Sequence, residues 1–272
     1  MNYSLDAVSK QYSVRHETVA ALESVSLSVQ KGEVMAILGS SGAGKTTLFR
    51  LLNATLRPSS GSIRVDGREL GAMSSWDLRR IRRRIGTIYQ QHNLVPSLTS
   101  LQNTLCGCLG RWSLAETIRG ILSPAKADVQ QALRALELVE LADKRNARAD
   151  ELSGGQQQRL AIARVLMQEP EVILADEPVA SLDPALTDGV MSLLLRVGSE
   201  RHRTLVVAMH KVGLALEYFP RVIGLRGGAV FFDRPSAAVD ETLLQNLYAG
   251  YRQETRRSRD DDRFQREFGC VR

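Results

Sequence analysis

The sequence has few cysteines, few aromatic residues and no long hydrophobic run. Its 272 residues include 3 cysteines, an odd and sparse number that disfavours a disulfide framework and indicates a reducing compartment. Aromatic residues make up 5% of the chain, which disfavours a stacking surface for single-stranded nucleic acid, so we expect no nucleic-acid partner. No apolar run approaches the roughly 20 residues that cross a bilayer, and the N-terminus has no signal-peptide pattern. We therefore expect a cytosolic chain that serves any membrane process through another subunit.

The remaining composition is that of a folded, basic protein. With 43% apolar residues, the chain is expected to form a substantial core. The net charge of +6 permits an acidic partner without requiring one. Arginines are concentrated at 79–84, which we interpret as a solvated helix face; a nucleic-acid or lipid patch is the alternative. Cys106 and Cys108 are closer together than in common zinc sites, and we interpret them as incidental.

The most informative segment is a glycine-rich run at 39–46. It fits G-x-x-x-x-G-K-[ST], the P-loop that binds nucleotide phosphates, and it lies between a strand pattern at 34–38 and a helical pattern. Glycines let the backbone point N–H groups at an anion, and the helix start adds a positive dipole end. We expect Lys45 to contact the β- and γ-phosphates and Thr46 to bind Mg²⁺. The predicted nucleotide-binding residues of this loop are Gly39, Ser40, Ser41, Gly42, Ala43, Gly44, Lys45, Thr46 and Thr47.

The order of the patterns predicts an α/β fold. Strand patterns at 172–175 and 204–208 flank a helical pattern, which predicts parallel βαβ units. We predict a P-loop NTPase core with a parallel sheet, an antiparallel β subdomain from the N-terminal strands, and a helical subdomain inserted at about 93–167. These parts form one predicted domain over 1–250. The tail at 251–272 is dense in charge, and we expect it to be poorly ordered.

Two carboxylates follow the strand pattern at 172–175. Asp176 is placed to hold Mg²⁺, as in other P-loop enzymes. Side chains alternate along a strand, so Glu177 points elsewhere, which suits it to polarise the attacking water. The alternative is an ordinary strand end with two acids, which the P-loop in the same chain disfavours.

A second anion-binding helix start is predicted at 152–156. This L-S-G-G-Q run leads directly into an apolar helical pattern, so its first N–H groups and dipole would favour an anion. A chain with one P-loop has no evident use for it on its own nucleotide. We expect it to cap the γ-phosphate held by a second copy; the alternative is that Ser153 acts as a helix N-cap and nothing more.

The segments 39–46, 152–156 and 173–177 together resemble the ATP-binding subunit of an ABC transporter, and the resemblance extends over about 3–250. It implies an ATPase with ATP and Mg²⁺ as its ligands. It also implies a head-to-tail dimer with a second copy, in which each ATP lies between the P-loop of one chain and the L-S-G-G-Q run of the other. Transmembrane permease subunits and a periplasmic solute-binding protein are the implied partners. The implied location is the cytoplasmic face of the bacterial inner membrane.

The resemblance also assigns roles to single residues. Glu177 and His210 are the implied catalytic residues, together with Gln90, which would link Mg²⁺ and water to the membrane subunit; Gln91 competes for that role. Tyr12 would stack on adenine, although it could also pack as a strand aromatic. His210 could instead be a satisfied histidine at a strand end. The implied Mg²⁺ ligands are Thr46, Gln90 and Asp176, and the implied nucleotide contacts across the dimer are Ser153, Gly154, Gly155, Gln156 and Asp183.

Two further stretches point to a transported solute. Residues 90–99 and 174–184, with a Val179-Ala180 pair in the second, are similar to the phosphonate-import ATPases, which implies phosphonate uptake. An importer of another small solute, such as a polar amino acid or methionine, is the alternative. ABC ATPases of DNA repair or translation are disfavoured by the single cassette and the lack of heptads. A P-loop kinase would have no role for the L-S-G-G-Q run.

Overall fold

The computed structural model describes residues 1–14, 17–113, 116–118, 120, 123–180 and 182–249. Within these ranges the strands are β1 (Tyr3–Val14), β2 (Glu17–Val29), β3 (Val34–Leu38), β4 (Ser60–Val65), β5 (Arg68–Glu69), β6 (Ile85–Ile88), β7 (Val172–Asp176), β8 (Thr204–Met209), β9 (Arg221–Arg226) and β10 (Ala229–Pro235). The α-helices are α1 (Lys45–Leu52), α2 (Ser75–Arg83), α3 (Ser100–Leu105), α4 (Lys126–Leu138), α5 (Gly154–Met167), α6 (Pro184–Ser199) and α7 (Val212–Tyr218). Residues 241–249 form a further helical segment.

The larger sheet has the strand order β10-β9-β3-β8-β7-β6. Strands β9, β3, β8, β7 and β6 are parallel, and β10 pairs antiparallel with β9 in a hairpin. Strands β7 and β8 are buried along their whole length, as expected for a parallel sheet that is covered on both faces. The carboxyl ends of β3, β7 and β8 therefore meet at one edge of the sheet, where the P-loop begins.

Alternate residues of the larger sheet face two separate apolar layers. On β3, Met35 and Ile37 pack in a core shared with α1 and the antiparallel sheet β2-β1-β4-β5. Ala36 and Leu38 belong to the opposite layer, with residues from α4, α5, α6 and α7. The predicted parallel core and antiparallel β subdomain are both confirmed, and this two-sided burial explains why β3 is apolar at every position.

The helical subdomain is also present. Helices α3, α4 and α5 pack against one another, and Ala132 and Leu136 of α4 are buried. Val129 and Leu133, which the helical spacing places on the same face, are partly buried. The thiol of Cys108 is buried in this subdomain, and burial raises its pKa.

One boundary differs from the sequence pattern. Helix α1 ends at Leu52, so Leu56, which continues the apolar spacing of Leu48 and Leu52, lies beyond the helix. The chain leaves the helix because Ala54 adopts a left-handed conformation with a φ of 57°, yet Leu56 still packs against the core. The predicted charged tail at 251–272 lies outside the described residues. None of the helices in the described ranges has the length and hydrophobicity that crossing a membrane requires.

Candidate nucleotide-binding site

The P-loop connects β3 to α1 and depends on its glycines. Gly42 and Gly44 have φ angles of 80° and 100°, which other residues rarely adopt. A Cβ at Gly44 would approach the carbonyl oxygen of Ala21 to 2.6 Å. Gly44 is the N-cap of α1 and supplies no side-chain cap, so the first N–H groups of this helix receive no side-chain acceptor from it. The loop is therefore built to present backbone N–H groups to a ligand.

The ammonium group of Lys45 is held inside this loop. Its Nζ donates to the carbonyl oxygens of Gly39 at 2.8 Å and Ser40 at 3.0 Å, and it lies 3.4 Å from Oε1 of Glu177. The side chain is 5% exposed. All three acceptors are oxygen atoms that phosphate oxygens can replace, so Lys45 is positioned beside the loop that is predicted to bind phosphates.

A hydroxyl and a carboxylate meet where β7 ends beside α1. The hydroxyl of Thr46 donates to Oδ2 of Asp176 at 3.0 Å. Burial raises the pKa of the Asp176 carboxyl, and the nearby Glu177 charge adds to the increase, whereas the Thr46 hydrogen bond and Lys45 oppose it. Two hard oxygen donors from separate elements fit a Mg²⁺ ion, which takes few protein ligands and keeps several waters.

Glu177 has an unusual backbone that turns its side chain toward a different set of partners. Its φ is 50°, and its backbone N–H donates to the carbonyl of Ala208 at 2.9 Å. Its Oε2 lies 3.6 Å from Nδ1 of His210, whose side chain is 48% exposed. A left-handed backbone at a residue other than glycine is costly and is often found at functional sites. The structure thus groups Glu177 and His210 with the Lys45 ammonium.

The L-S-G-G-Q run begins α5 and is capped within the chain. The Ser153 hydroxyl accepts from the backbone N–H of Gln156 at 3.4 Å, and Oε1 of Gln156 accepts from the Ser153 N–H at 3.0 Å. Ser153 is therefore an N-cap, as the alternative interpretation held. Ser153 and Gly154 are also exposed, and a Cβ at Gly154 would meet no atom within 4 Å. Open space at this helix start leaves room for a second copy. The predicted role of this run, capping the γ-phosphate held by that copy, stays a prediction.

Three predicted residues lie on other elements. Tyr12 is half-buried in β1, where Nζ of Lys10 lies 5.5 Å from its ring centre. Gln90 is exposed just after β6, and Asp183 is the exposed N-cap of α6 without a side-chain cap bond. Among the described residues, no hydrogen bond or ion pair joins these three to Lys45, Glu177 or His210. Their roles stay predictions.

A contact that sequence reasoning missed joins the Gln90 segment to α5. The Arg164 guanidinium donates to the carbonyl of His92 at 2.7 Å and to the carbonyl of Asn93. His92 and Asn93 both have left-handed φ angles, of 56° and 51°. Burial lowers the pKa of Arg164 and of His92, which also bonds to the Gln158 side chain. The available signal was a lone arginine within an apolar helical run.

Comparison with known proteins gives a consistent set of relatives. The profile of the ABC transporter family matches residues 22–180. The phosphonates import ATP-binding protein of Pseudomonas fluorescens (strain Pf0-1) is 45% identical over 241 residues, which cover 88% of this chain and 90% of that protein. The protein of the same name from Alcaligenes faecalis is 45% identical over 228 residues, or 84% of this chain and 82% of that protein.

Solved structures agree with the sequence relatives. A bacterial ABC transporter cassette solved as a dimer superposes with a TM-score of 0.76 at 32% identity, covering 86% of this chain and 98% of that one. A post-hydrolysis dimer of the same cassette, bound to ADP and Pi, superposes with a TM-score of 0.74 at 33% identity over the same shares of the two chains.

Proposed function

Because the chain belongs to the ABC transporter family of ATP-binding subunits, we propose that it is the ATP-hydrolysing subunit of an importer that carries phosphonates across the inner membrane. The observation that supports phosphonate as the solute is the 45% identity to the phosphonates import ATP-binding protein of Pseudomonas fluorescens, which extends over 88% of this chain. The P-loop geometry supports nucleotide binding independently of that similarity.

ATP binding begins with an exchange of partners at Lys45. Its Nζ now donates to two loop carbonyls and pairs with Glu177. When phosphates enter the loop, Lys45 turns to the β- and γ-phosphate oxygens, and the backbone N–H groups at the start of α1 bind the same anion. The exchange also releases Oε1 of Glu177, so nucleotide binding frees the carboxylate that hydrolysis needs.

Thr46 and Asp176 are the proposed protein ligands of Mg²⁺, with Gln90 as a third. The hydroxyl and carboxylate already lie 3.0 Å apart, and the carboxylate is largely buried. Mg²⁺, when bound, neutralises charge on the β- and γ-phosphates. The positive ion also favours the charged form of Asp176, which burial alone disfavours.

Glu177 accepts the proton of the attacking water in this proposal. Its backbone is left-handed, and its carboxylate lies against Lys45 and His210. His210 lies at the carboxyl end of β8 and contacts the γ-phosphate. Tyr12 stacks on adenine at the other end of the nucleotide.

Two copies complete the two sites. Each copy places Ser153 to Gln156, together with Asp183, against the nucleotide in the P-loop of the other copy. Support comes from the similar cassettes solved as dimers and from the open space around Gly154. The arrangement is isologous, as in most homodimers, and its opening after hydrolysis moves permease subunits between two access states. A periplasmic solute-binding protein delivers the solute, and this subunit works at the cytoplasmic face.

Uptake of a labelled alkylphosphonate tests the proposal. Right-side-out membrane vesicles that contain ATP and carry the whole transporter would be compared between wild type and Glu177→Gln. We expect ATP-dependent uptake in wild type, competition by unlabelled phosphonates, no competition by methionine or polar amino acids, and loss of uptake in the variant. ATPase activity without phosphonate uptake would contradict the substrate and return the choice to other solutes.

A further inference from the structure

A cationic cavity lies between α2 and the chain that follows residue 110, away from the nucleotide site. It is open to solvent on one side and has a volume of about 730 Å³. A cavity of this size holds a small organic molecule, because known ligand pockets run from roughly 300 to 1,000 Å³. It is lined by Trp76, Arg79, Arg80, Arg83, Trp112, Ser113 and Thr117.

Three arginines on this wall have no acidic partner in the described part of the chain. Arg79, Arg80 and Arg83 form no ion pair there, and Nε of Arg83 is buried without a hydrogen-bond partner. The acid on the same helix, Asp77, lies 3.6 Å from Arg68 instead. Like charges three and four residues apart weaken a helix, and a buried unpaired donor is costly. The Trp76 ring contacts Arg80, and an anion in the cavity would give Arg79 and Arg83 the charged partner that the described residues do not provide.

Two indole rings bound the same space. Trp76 is 65% exposed, and the guanidinium carbon of Arg80 lies 4.7 Å from its ring centre. Trp112 forms part of the lining from the other side. Guanidinium groups bind tetrahedral oxyanions through paired N–H donors, and the indole faces hold both the cations and an apolar group.

We propose that this cavity, named here the α2 cavity and lined by the residues given above, binds a small organic anion that carries a phosphoryl or phosphonyl group. The three guanidinium groups bind the oxyanion, and the indoles contact the organic part. The cavity has more room than a bare ion needs. A phospholipid headgroup presents the same group as a free phosphonate, and the experiment separates the two sources.

The α2 cavity also lies between α2 and the helical subdomain, which a bound molecule would connect. Helix α2 leads into β6 and from there to Gln90. On the other side, Arg111 ties the chain next to Trp112 to the helical subdomain, through Sγ of Cys108 at 3.2 Å and the carboxylate of Glu169 at 2.7 Å. A bound anion therefore restrains the helical subdomain against the core. The binding site itself does not rest on the proposed function.

Intrinsic fluorescence tests the site directly, because the sequence has 2 tryptophans and both line the cavity. The full chain would be titrated with methylphosphonate and with inorganic phosphate, against sodium chloride at matched ionic strength. A second arm would use vesicles of phosphatidylglycerol, with phosphatidylcholine vesicles as control. Trp76→Phe would identify which indole responds, and Lys45→Ala would remove anion binding at the P-loop.

We expect a saturable change with one of the two anion sources, and we expect it to persist in Lys45→Ala. The double variant R79Q/R83Q should weaken it by about tenfold or more, since each lost charged hydrogen bond costs a substantial share of the affinity. Arg134→Gln, an exposed helical arginine elsewhere, should leave it unchanged. Thermal unfolding of each variant would confirm that it is folded. If R79Q/R83Q does not fold, the single variant Arg80→Gln takes its place.

A change with the soluble anions assigns a free phosphonate or phosphate, and a change with phosphatidylglycerol vesicles alone assigns a lipid headgroup. No change beyond the sodium chloride control in either arm overturns the proposal. Titration curves of R79Q/R83Q that match those of wild type overturn it as well. That result would indicate that the arginines contact a protein partner instead. None of these results depends on phosphonate uptake, so failure of the site and failure of the proposed function remain distinguishable.

Discussion

The N-termini of α1 and α5 resemble each other in sequence, but they differ in how their backbone N–H groups are capped. The N-cap of α1 is Gly44, which has a φ of 100° and gives no side-chain cap. The N-cap of α5 is Ser153, where a complete capping box with Gln156 satisfies N–H groups inside the chain. We therefore propose that the first is an anion site in a single copy. The second is stable without a ligand and offers an open surface, which suits a group that acts only when a second copy brings it a phosphate.

Of the changes that test this comparison, replacing the P-loop lysine should have the largest effect, which is on ATP affinity. In Lys45→Ala the phosphates lose their main cation and Glu177 loses its partner, so we expect ATP affinity to fall by about 100-fold or more. Isothermal titration calorimetry would measure it, with Lys31→Ala, an exposed turn residue, as control. Unchanged affinity in Lys45→Ala would contradict the assignment of the first helix start.

A methyl group at each glycine should separate the two starts by stability. Gly44→Ala forces a left-handed φ on alanine and a 2.6 Å approach to Ala21, so we expect a loss of about 1–3 kcal/mol in the free energy of unfolding. Gly154→Ala meets open space and should not lower stability. Urea unfolding of both variants checks this, and equal losses would show that the two starts are constrained alike.

The two serine caps sharpen the comparison further. Ser153→Ala should cost about 1 kcal/mol of stability through the lost N-cap and should also lower ATPase turnover, by roughly tenfold, because a contact to the other copy is lost. Ser74 is a matched control, since its hydroxyl caps α2 by accepting from the Asp77 N–H. Ser74→Ala should lose similar stability and keep turnover. Equal turnover in the two variants would reduce Ser153 to a structural cap.

The smallest effect concerns pH. Burial raises the pKa of Asp176 above its ordinary value of 3.8, so this residue favours the folded state most when protonated. Its contribution is present below the ordinary pKa and is lost as pH rises through the raised one. Asp176→Asn should therefore raise the melting temperature of the nucleotide-free protein slightly at neutral pH, with no gain at low pH. Scanning calorimetry across that range would detect it; a gain that is independent of pH would contradict the cause.

Local patterns predicted much of this molecule. Short apolar runs located β3, β7 and β8, a helix period of 3.6 located α6, and the motif spacing located the P-loop and Asp176 beside it. The left-handed φ of Glu177 was not predictable, because it depends on the hydrogen bond to Ala208 on the neighbouring strand. The Arg164 contacts and the α2 cavity were missed for the same reason: both join segments that are distant along the chain.

Mass in solution tests the central claim most directly, namely that the second helix start completes the nucleotide site of another copy. Glu177→Gln should bind ATP and hardly hydrolyse it, which holds the closed state. Analytical ultracentrifugation should give the monomer mass of 30.0 kDa without nucleotide and twice that mass with ATP and Mg²⁺. Ser153→Arg in the same background should prevent the doubling. A monomer mass in the presence of ATP that calorimetry shows to be bound would contradict the account.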